Sequence, residues 1–526
     1  MEKEKLSIRA LIVSLVMLLL SPFAAGAQAL YGDVNSDGEV SVFDVIKLID
    51  FLLEGGSSEG HTGLNRGVIS VKDYGAVGDG VTDDTEAMER AFAYAGQNKL
   101  ALYVPRGTYM IRRPLTLMSG MEIYGDGSSK SIIKKFPAAW HKLTEAIATG
   151  VYNEDEYNSI TIRVDGVSGY HVGDHCFISY SNNPFQPGNT KARYCTYGEI
   201  VEINETPIIV NEVEQYEVKI KSAHDSEKHG VVYSHPVGAV LSTSFPILRS
   251  WAFKDECINV YIHDICLDGN RQTEGPLYNG VTYEPMEWAN ACIHFDAYGT
   301  TKVCGISYNN HSYNHAVVRC KLINASYDGL SDQGEGGLYV KDCTIQNNAM
   351  SGVHLGTVFE NAVIADNKMK GVSERGAGVF FCQDVTNVII EGNTFDSFYH
   401  GCSDEEYATE GKYNIIRNNT FNNTDNYVFD FLKATSSRHG GGLLITGNTI
   451  SGLNDAMFCG KYLEDVIISK NKITSLSPNP PSSLIITNNT NGLIIVGNTL
   501  PTDAAISTPV TLNNTTNVIQ AANSWD

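Results

Sequence analysis

Six asparagines in the second half of the chain recur at a nearly constant spacing, and that period constrains the fold more than any other feature. Asn367, Asn393, Asn419, Asn448, Asn471 and Asn498 lie 26, 26, 29, 23 and 27 residues apart. Each follows a short apolar run of β type, such as Val388-Ile389-Ile390 or Leu443-Leu444-Ile445. Cys320 and Cys343, 23 residues apart, take the same place in two earlier turns. A fixed period of this size is the signature of a solenoid, in which each repeat buries its apolar face against its neighbours. One turn of about 25 residues suits three short strands and three corners. Asparagine at a corner tolerates left-handed backbone, and stacked asparagine side chains can hydrogen-bond along the column. These residues are therefore read as structural, although several lie in N-x-S/T sequons.

The period breaks over residues 140–250. There Val167–Ile178, Gly198–Ile203 and Tyr216–Ile220 alternate as strands of an inserted β unit. It resumes at Ile258–Ile262 and Leu267-Asp268-Gly269-Asn270. Eleven cysteines lack metal-type spacing and sit mostly in apolar stretches, so they read as buried small hydrophobes. With 38 Lys and Arg against 60 Asp and Glu, the net charge of −22 gives no basic footprint for a nucleic-acid partner.

The N-terminus carries two further elements. Residues 1–29 have Lys3, Lys5 and Arg9, then the apolar run Ala10–Leu20, then small residues with two A-x-A sites, the layout of a secretory signal. The apolar core is too short to span a bilayer. This predicts a secreted or periplasmic protein without a membrane span. Residues 30–56 hold Asp33, Asn35, Asp37 and Asp44 at loop positions 1, 3, 5 and 12, with Gly38 at position 6 and the Glu39 carbonyl at position 7. Hard oxygen ligands at this spacing predict calcium. A helix with Val45, Ile46, Leu48, Ile49, Leu52 and Leu53 on one side follows. The pattern resembles one repeat of a type I dockerin. That family docks onto cohesins through two repeats, so one repeat leaves a cohesin-type partner in doubt. Residues 57–67 form a Gly/Ser-rich linker.

From residue 68 three pieces stand in order: Tyr74-Gly75-Ala76-Val77-Gly78-Asp79-Gly80-Val81-Thr82-Asp83-Asp84-Thr85, Val104-Pro105-Arg106-Gly107-Thr108-Tyr109, and Gly125-Asp126-Gly127. They resemble the opening of the pectate-lyase-superfamily β-helix proteins. The resemblance implies an all-β, right-handed parallel β-helix over 68–526, with a helix capping its first turn. It implies a carbohydrate ligand but not a reaction, since lyases, hydrolases, epimerases and phage tailspikes share the fold. Thr82, Asp83 and Asp84 are read as caps of that first helix.

Four segments align as successive strands of one sheet: Tyr327–Gln333, Met350–Gly356, Gly376–Phe381 and Tyr399–Asp404. The glycine before each apolar residue keeps the register. Leu330, Val353, Val379 and Cys402 then face inward. By alternation, Ser331, His354, Phe380 and Ser403 face outward. Asp332, Gln333, Glu335, Glu374, Arg375, Asp404, Glu405 and Glu406 are read as polar loop residues flanking them, with Asp328, Tyr327, Tyr399 and His400 nearby.

Two reactions suit this set. A lyase neutralises a uronate carboxylate, removes the C5 proton and protonates the leaving oxygen. His354 as base, Arg375 and Gln333 as neutralisers, His400 in support and Tyr399 as acid supply it, with Asp332, Glu335, Glu374, Phe380 and Asp404 holding the polysaccharide. A calcium ion in the groove is the other means of neutralisation. A glycoside hydrolase needs paired carboxylates, which Asp332, Glu335, Asp404 and Glu405 offer. Polygalacturonase and alginate-epimerase motifs are not visible. A non-catalytic glycan-binding protein is the third possibility. The favoured expectation is a lyase for a glycosaminoglycan or pectin-like polymer. Removing the signal leaves a charge near −23, which repels such polymers at long range. The outward placement of His354 predicts that His354→Ala stays folded and inactive.

Overall fold

The computed structural model describes residues 67–148, 159–179, 196–222, 234–250, 256–271, 277–278, 281–282, 290–295, 302–303, 306–307, 311–357, 359–372, 376–404, 412–432, 440–502, 504 and 506–525. The chain divides into two compact units, Met1–Gly67 and Val68–Asp526, and the description concerns the second. The signal and calcium-loop segments lie outside the described residues.

Parallel strands wind through three sheets of 15, 11 and 11 strands. Each turn contributes one strand to each sheet in order. One turn runs Ser312–Val318 in the first sheet, Lys321–Ile323 in the second and Leu330–Asp332 in the third; the next runs Gly336–Lys341, Thr344–Gln346 and Val353–Thr357. This is the β-helix that the period predicts. One continuous apolar core fills its interior, from Val71 to Ile495. The amphipathic helix Thr85–Asn98 buries Ala87, Met88, Ala91, Phe92 and Ala95 against the first turns. Its N-terminal donors are met differently from expectation. Asp83 Oδ1 accepts from the Thr85 backbone N–H at 3.0 Å, whereas Asp84 bonds back to the N–H groups of Val77 and Gly78.

The asparagine column is real, and its geometry refines the expectation. In each turn that carries the column two residues join the first-sheet strand to the second-sheet strand, as in Asp366-Asn367, Gly392-Asn393 and Asn418-Asn419. The first of the two carries the positive φ: 56° at Asp366, 67° at Gly392 and 55° at Asn418. The second points inward. Asn393 Oδ1 accepts from the Asn367 backbone N–H at 2.9 Å and from Asn367 Nδ2 at 2.9 Å, while Asn367 Nδ2 also donates to the Val340 carbonyl at 3.0 Å. The pattern repeats through Asn419, Asn448, Asn471 and Asn498 to Asn523. Each amide of the column is hydrogen-bonded, which is what makes a polar column tolerable inside an apolar solenoid. Cys343 continues it: its N–H donates to Asn367 Oδ1 at 2.8 Å, and its Sγ lies 3.4 Å from the Cys320 backbone N. All nine cysteines among the described residues are buried and unbridged.

The break in the period is an antiparallel sheet of seven strands between Trp140 and Ser242, with its own core around Ile162, Val164, Cys176, Ile200 and Leu241. Leu248–Ser250 already belongs to the third sheet of the solenoid.

Candidate functional site

The third sheet positions the candidate site, because its register stacks one residue per turn along its outer face. Leu330, Val353, Val379 and Cys402 pair in sequence and join the core; Ser331, His354, Phe380 and Ser403 pair beside them and face outward. The row extends past the four aligned segments, to Arg249 and His294 before Ser331 and to Asp430 after Ser403. Sequence reasoning missed these three. The signal was present: Leu248-Arg249, Ile293-His294-Phe295 and Phe429-Asp430-Phe431 each set a polar residue among apolar ones, as in Val353-His354-Leu355.

Outward does not mean exposed here. Arg249, His294, Ser331, Ser403 and Asp430 are buried, and His354 is 8% exposed. His354 Nδ1 lies 2.9 Å from Asp328 Oδ2. Burial opposes a charged imidazole, but the Asp328 charge and hydrogen bond outweigh it, and the Cys382 thiol adds to them, lifting the His354 pKa to about 10. His354 is therefore protonated at neutral pH and cannot be the resting base. This corrects its expected role, and the expectation that the side chain contributes little to stability.

Asp332 and Asp404 are not loop residues flanking the groove. Asp332 pairs with Phe295 and Leu355, and Asp404 with Phe381, so strand alternation turns both carboxyls toward the core. Asp332 is fully buried; burial pushes its pKa up to about 8, against the opposing Gly334 N–H bonded at 2.8 Å. Asp404 lines a small pocket with Phe381, Phe431 and Leu443. Neither reaches a ligand on the outer face, and paired hydrolytic carboxylates built on them are lost.

The remaining expected residues lie around the row. Gln333 Nε2 donates to Ser331 Oγ at 3.0 Å. Glu335 Oε1 lies 2.6 Å from His311 Nδ1 at the corner leading to the first sheet. Tyr399 is 37% exposed, with its ring edge-on to His400 at 4.6 Å. His400 Nδ1 lies 3.2 Å from the Tyr427 carbonyl, and its Nε2 lies 3.5 Å from Asp430 Oδ2. Phe380 is half-buried and edge-on to His354 at 4.9 Å. Glu374, Arg375, Glu405 and Glu406 lie outside the described residues, as does the whole predicted calcium loop. Among the described residues no group of three or more His, Cys, Asp or Glu is placed to hold a metal ion. No described helix is long and apolar enough to cross a membrane.

Comparison with known proteins agrees with this architecture. Residues 68–172 match the family described as rhamnogalacturonase A/epimerase, pectate lyase-like, and residues 304–437 match the right-handed β-helix region. Alginate lyase 7 of Azotobacter vinelandii is 29% identical over 197 residues, 33% of this chain and 22% of that protein. Mannuronan C5-epimerase AlgE3 of the same organism is 29% identical over 150 residues, 27% of this chain and 8% of that protein. This chain thus spans less than a quarter of the length of either relative. Among solved structures, the A-module of A. vinelandii mannuronan C-5 epimerase AlgE6 aligns with 86% of this chain and 99% of its own, at a TM-score of 0.44 and 16% identity. The chain is a right-handed parallel β-helix related in sequence to polysaccharide-acting enzymes of that architecture.

Proposed function

We propose that this chain is an exported polysaccharide lyase that cleaves a uronic-acid polymer by β-elimination on the outer face of its third sheet. The observation that carries the reading is the division of charge along that face. Protonated His354 stands on one side of Phe380, and His400 with Asp430 stands on the other, beside Tyr399. Two turns separate the strands of His354 and His400, about 10 Å at the usual strand spacing, so side chains leaning over Phe380 can address one sugar unit.

Protonated His354 then neutralises the uronate carboxylate and makes the C5 proton acidic. His400 takes that proton at Nε2; its Nδ1–H is held by the Tyr427 carbonyl, and Asp430 stabilises the imidazolium formed. Tyr399 protonates the leaving O4 oxygen. The inward turn of Asp332 and Asp404 favours elimination over hydrolysis by paired carboxylates.

Similarity to an alginate lyase and to mannuronan C5-epimerases supports a uronate substrate and chemistry at C5, and makes alginate the first polymer to try beside pectin and glycosaminoglycans. An epimerase starts with the same proton abstraction and returns a proton to the opposite face. Incubation with that panel separates the readings. New ultraviolet absorbance from unsaturated uronate supports the lyase. Reducing ends without absorbance mean a hydrolase, inverted C5 centres by NMR without cleavage mean an epimerase, and binding without change means a glycan-binding protein.

A further inference from the structure

Cys382 lies on the same outer face as His354, in the next turn. Leu355 pairs with Phe381 and Thr357 with Gln383, which sets Cys382 opposite Gly356 and diagonal to His354. Diagonal neighbours on one face are within reach of a long side chain, and Gly356 places no side chain between them. Asp328 holds Nδ1 of His354, so Nε2 is directed away from Asp328; it is buried and has no hydrogen-bond partner. The Cys382 thiol is among the groups that favour the protonated imidazole.

We propose that Cys382 is a nucleophilic thiol, set against the His354–Asp328 pair, that forms covalent adducts with small carbon electrophiles. A thiol, an imidazole and an orienting carboxylate in this order form the constellation that activates cysteine in unrelated folds. With iodoacetamide the balance is simple. The protonated imidazole of His354 stabilises the thiolate, whose proton has gone to solvent; the sulfur lone pair forms the S–C bond, the C–I bond breaks and iodide leaves.

The same face supplies its own control. Cys459 stands opposite Asp430 and is 3% exposed, against 6% for Cys382. Burial and the charges of Asp430 and Asp455 push the Cys459 thiol up to about 12. Two buried cysteines on one sheet face thus sit beside opposite charges.

The proposal does not rest on the polysaccharide reading, and its test uses no polysaccharide. The folded full chain is treated with iodoacetamide at pH 7, and alkylation of each cysteine is followed by peptide mass spectrometry. Cys382 is expected to react at least about tenfold faster than Cys459. His354→Gln is expected to lower the Cys382 rate about tenfold and leave the Cys459 rate unchanged; Asp328→Asn serves if that variant does not fold. Equal rates for Cys382 and Cys459 in the unaltered protein, or no labelling of either, overturn the proposal without recourse to any variant.

Discussion

His354 and Asp328 form a buried pair across adjacent turns, with Nδ1 2.9 Å from Oδ2 and the other carboxylate oxygen 2.8 Å from the Ser351 backbone N. The pair ties a residue of the outer face to the corner of the turn before it. Its partners are interdependent: removing the imidazole leaves a buried carboxylate with only one backbone donor.

His354→Gln is therefore expected to cost about 3 kcal/mol in urea unfolding at pH 6, as breakage of a buried ion pair does. The folded pKa of about 10 lies above the ordinary 6.5. The pair's contribution is thus fully present below pH 6.5 and is lost as pH rises through 10. The gap between wild type and variant should narrow over that window. A gap independent of pH would remove the ion pair as its cause.

Asp332→Asn should stabilise the protein at pH 8 and above. The folded pKa of about 8 exceeds the unfolded value of 3.8, so the folded state alone holds this proton between those pH values. Stability consequently falls as pH rises from 4 to 8 and then levels. The asparagine variant escapes that loss, and each pKa unit corresponds to about 1.4 kcal/mol. Denaturant midpoints measured at pH 5 and pH 9 check it. An equal effect of the substitution at both would contradict the buried, inward placement.

Asn419→Ala interrupts the asparagine column. It strands the Asn393 backbone N–H and the Ile390 carbonyl, both now bonded to Asn419. With about 1–3 kcal/mol for each buried group left unsatisfied, a loss of at least 2 kcal/mol is expected in urea unfolding.

Asp430→Asn tests the assignment of the base. Turnover on the best polysaccharide substrate should fall about 10²-fold, with KM changed little, because Asp430 acts through His400 and not on the sugar. Unchanged turnover would place the base elsewhere.

Calcium binding by Asp33, Asn35, Asp37, Asp44 and the Glu39 carbonyl is checked by calorimetry on the full chain. Asp37→Ala should weaken the exothermic site at least about tenfold. Binding that survives this substitution would move the ion to another place.

Much of the architecture was legible because solenoid order is local. The Asn367–Asn498 period, the Cys320 and Cys343 substitutions within it and the register of Leu330, Val353, Val379 and Cys402 all follow from spacing and alternation. The site was legible only in part. Alternation assigns a side chain to a face, but not how deeply that face is covered, so His354 was expected to face outward and does, yet proves buried. Asp332 and Asp404 misled for a different reason. Asp332 opens a Gly-rich run and Asp404 an acidic one, which suggests loops, yet each is the second residue after a core position and shares its inward direction. Arg249, His294 and Asp430 escaped because the alignment stopped at four strands, although their alternation matched.

The corner that carries the asparagine column always spans two residues, whereas the corners on either side of the third sheet vary in length, as the short link between Lys461 and Leu463 and the longer one between Ile473 and Ile485 illustrate. Pitch and recognition are thereby separated in the chain. Insertions and deletions at the rims of the groove leave the spine's spacing untouched, so the contour offered to a polymer can be rewritten without re-specifying the fold. A library confined to those rims would explore substrate preference at little risk to folding.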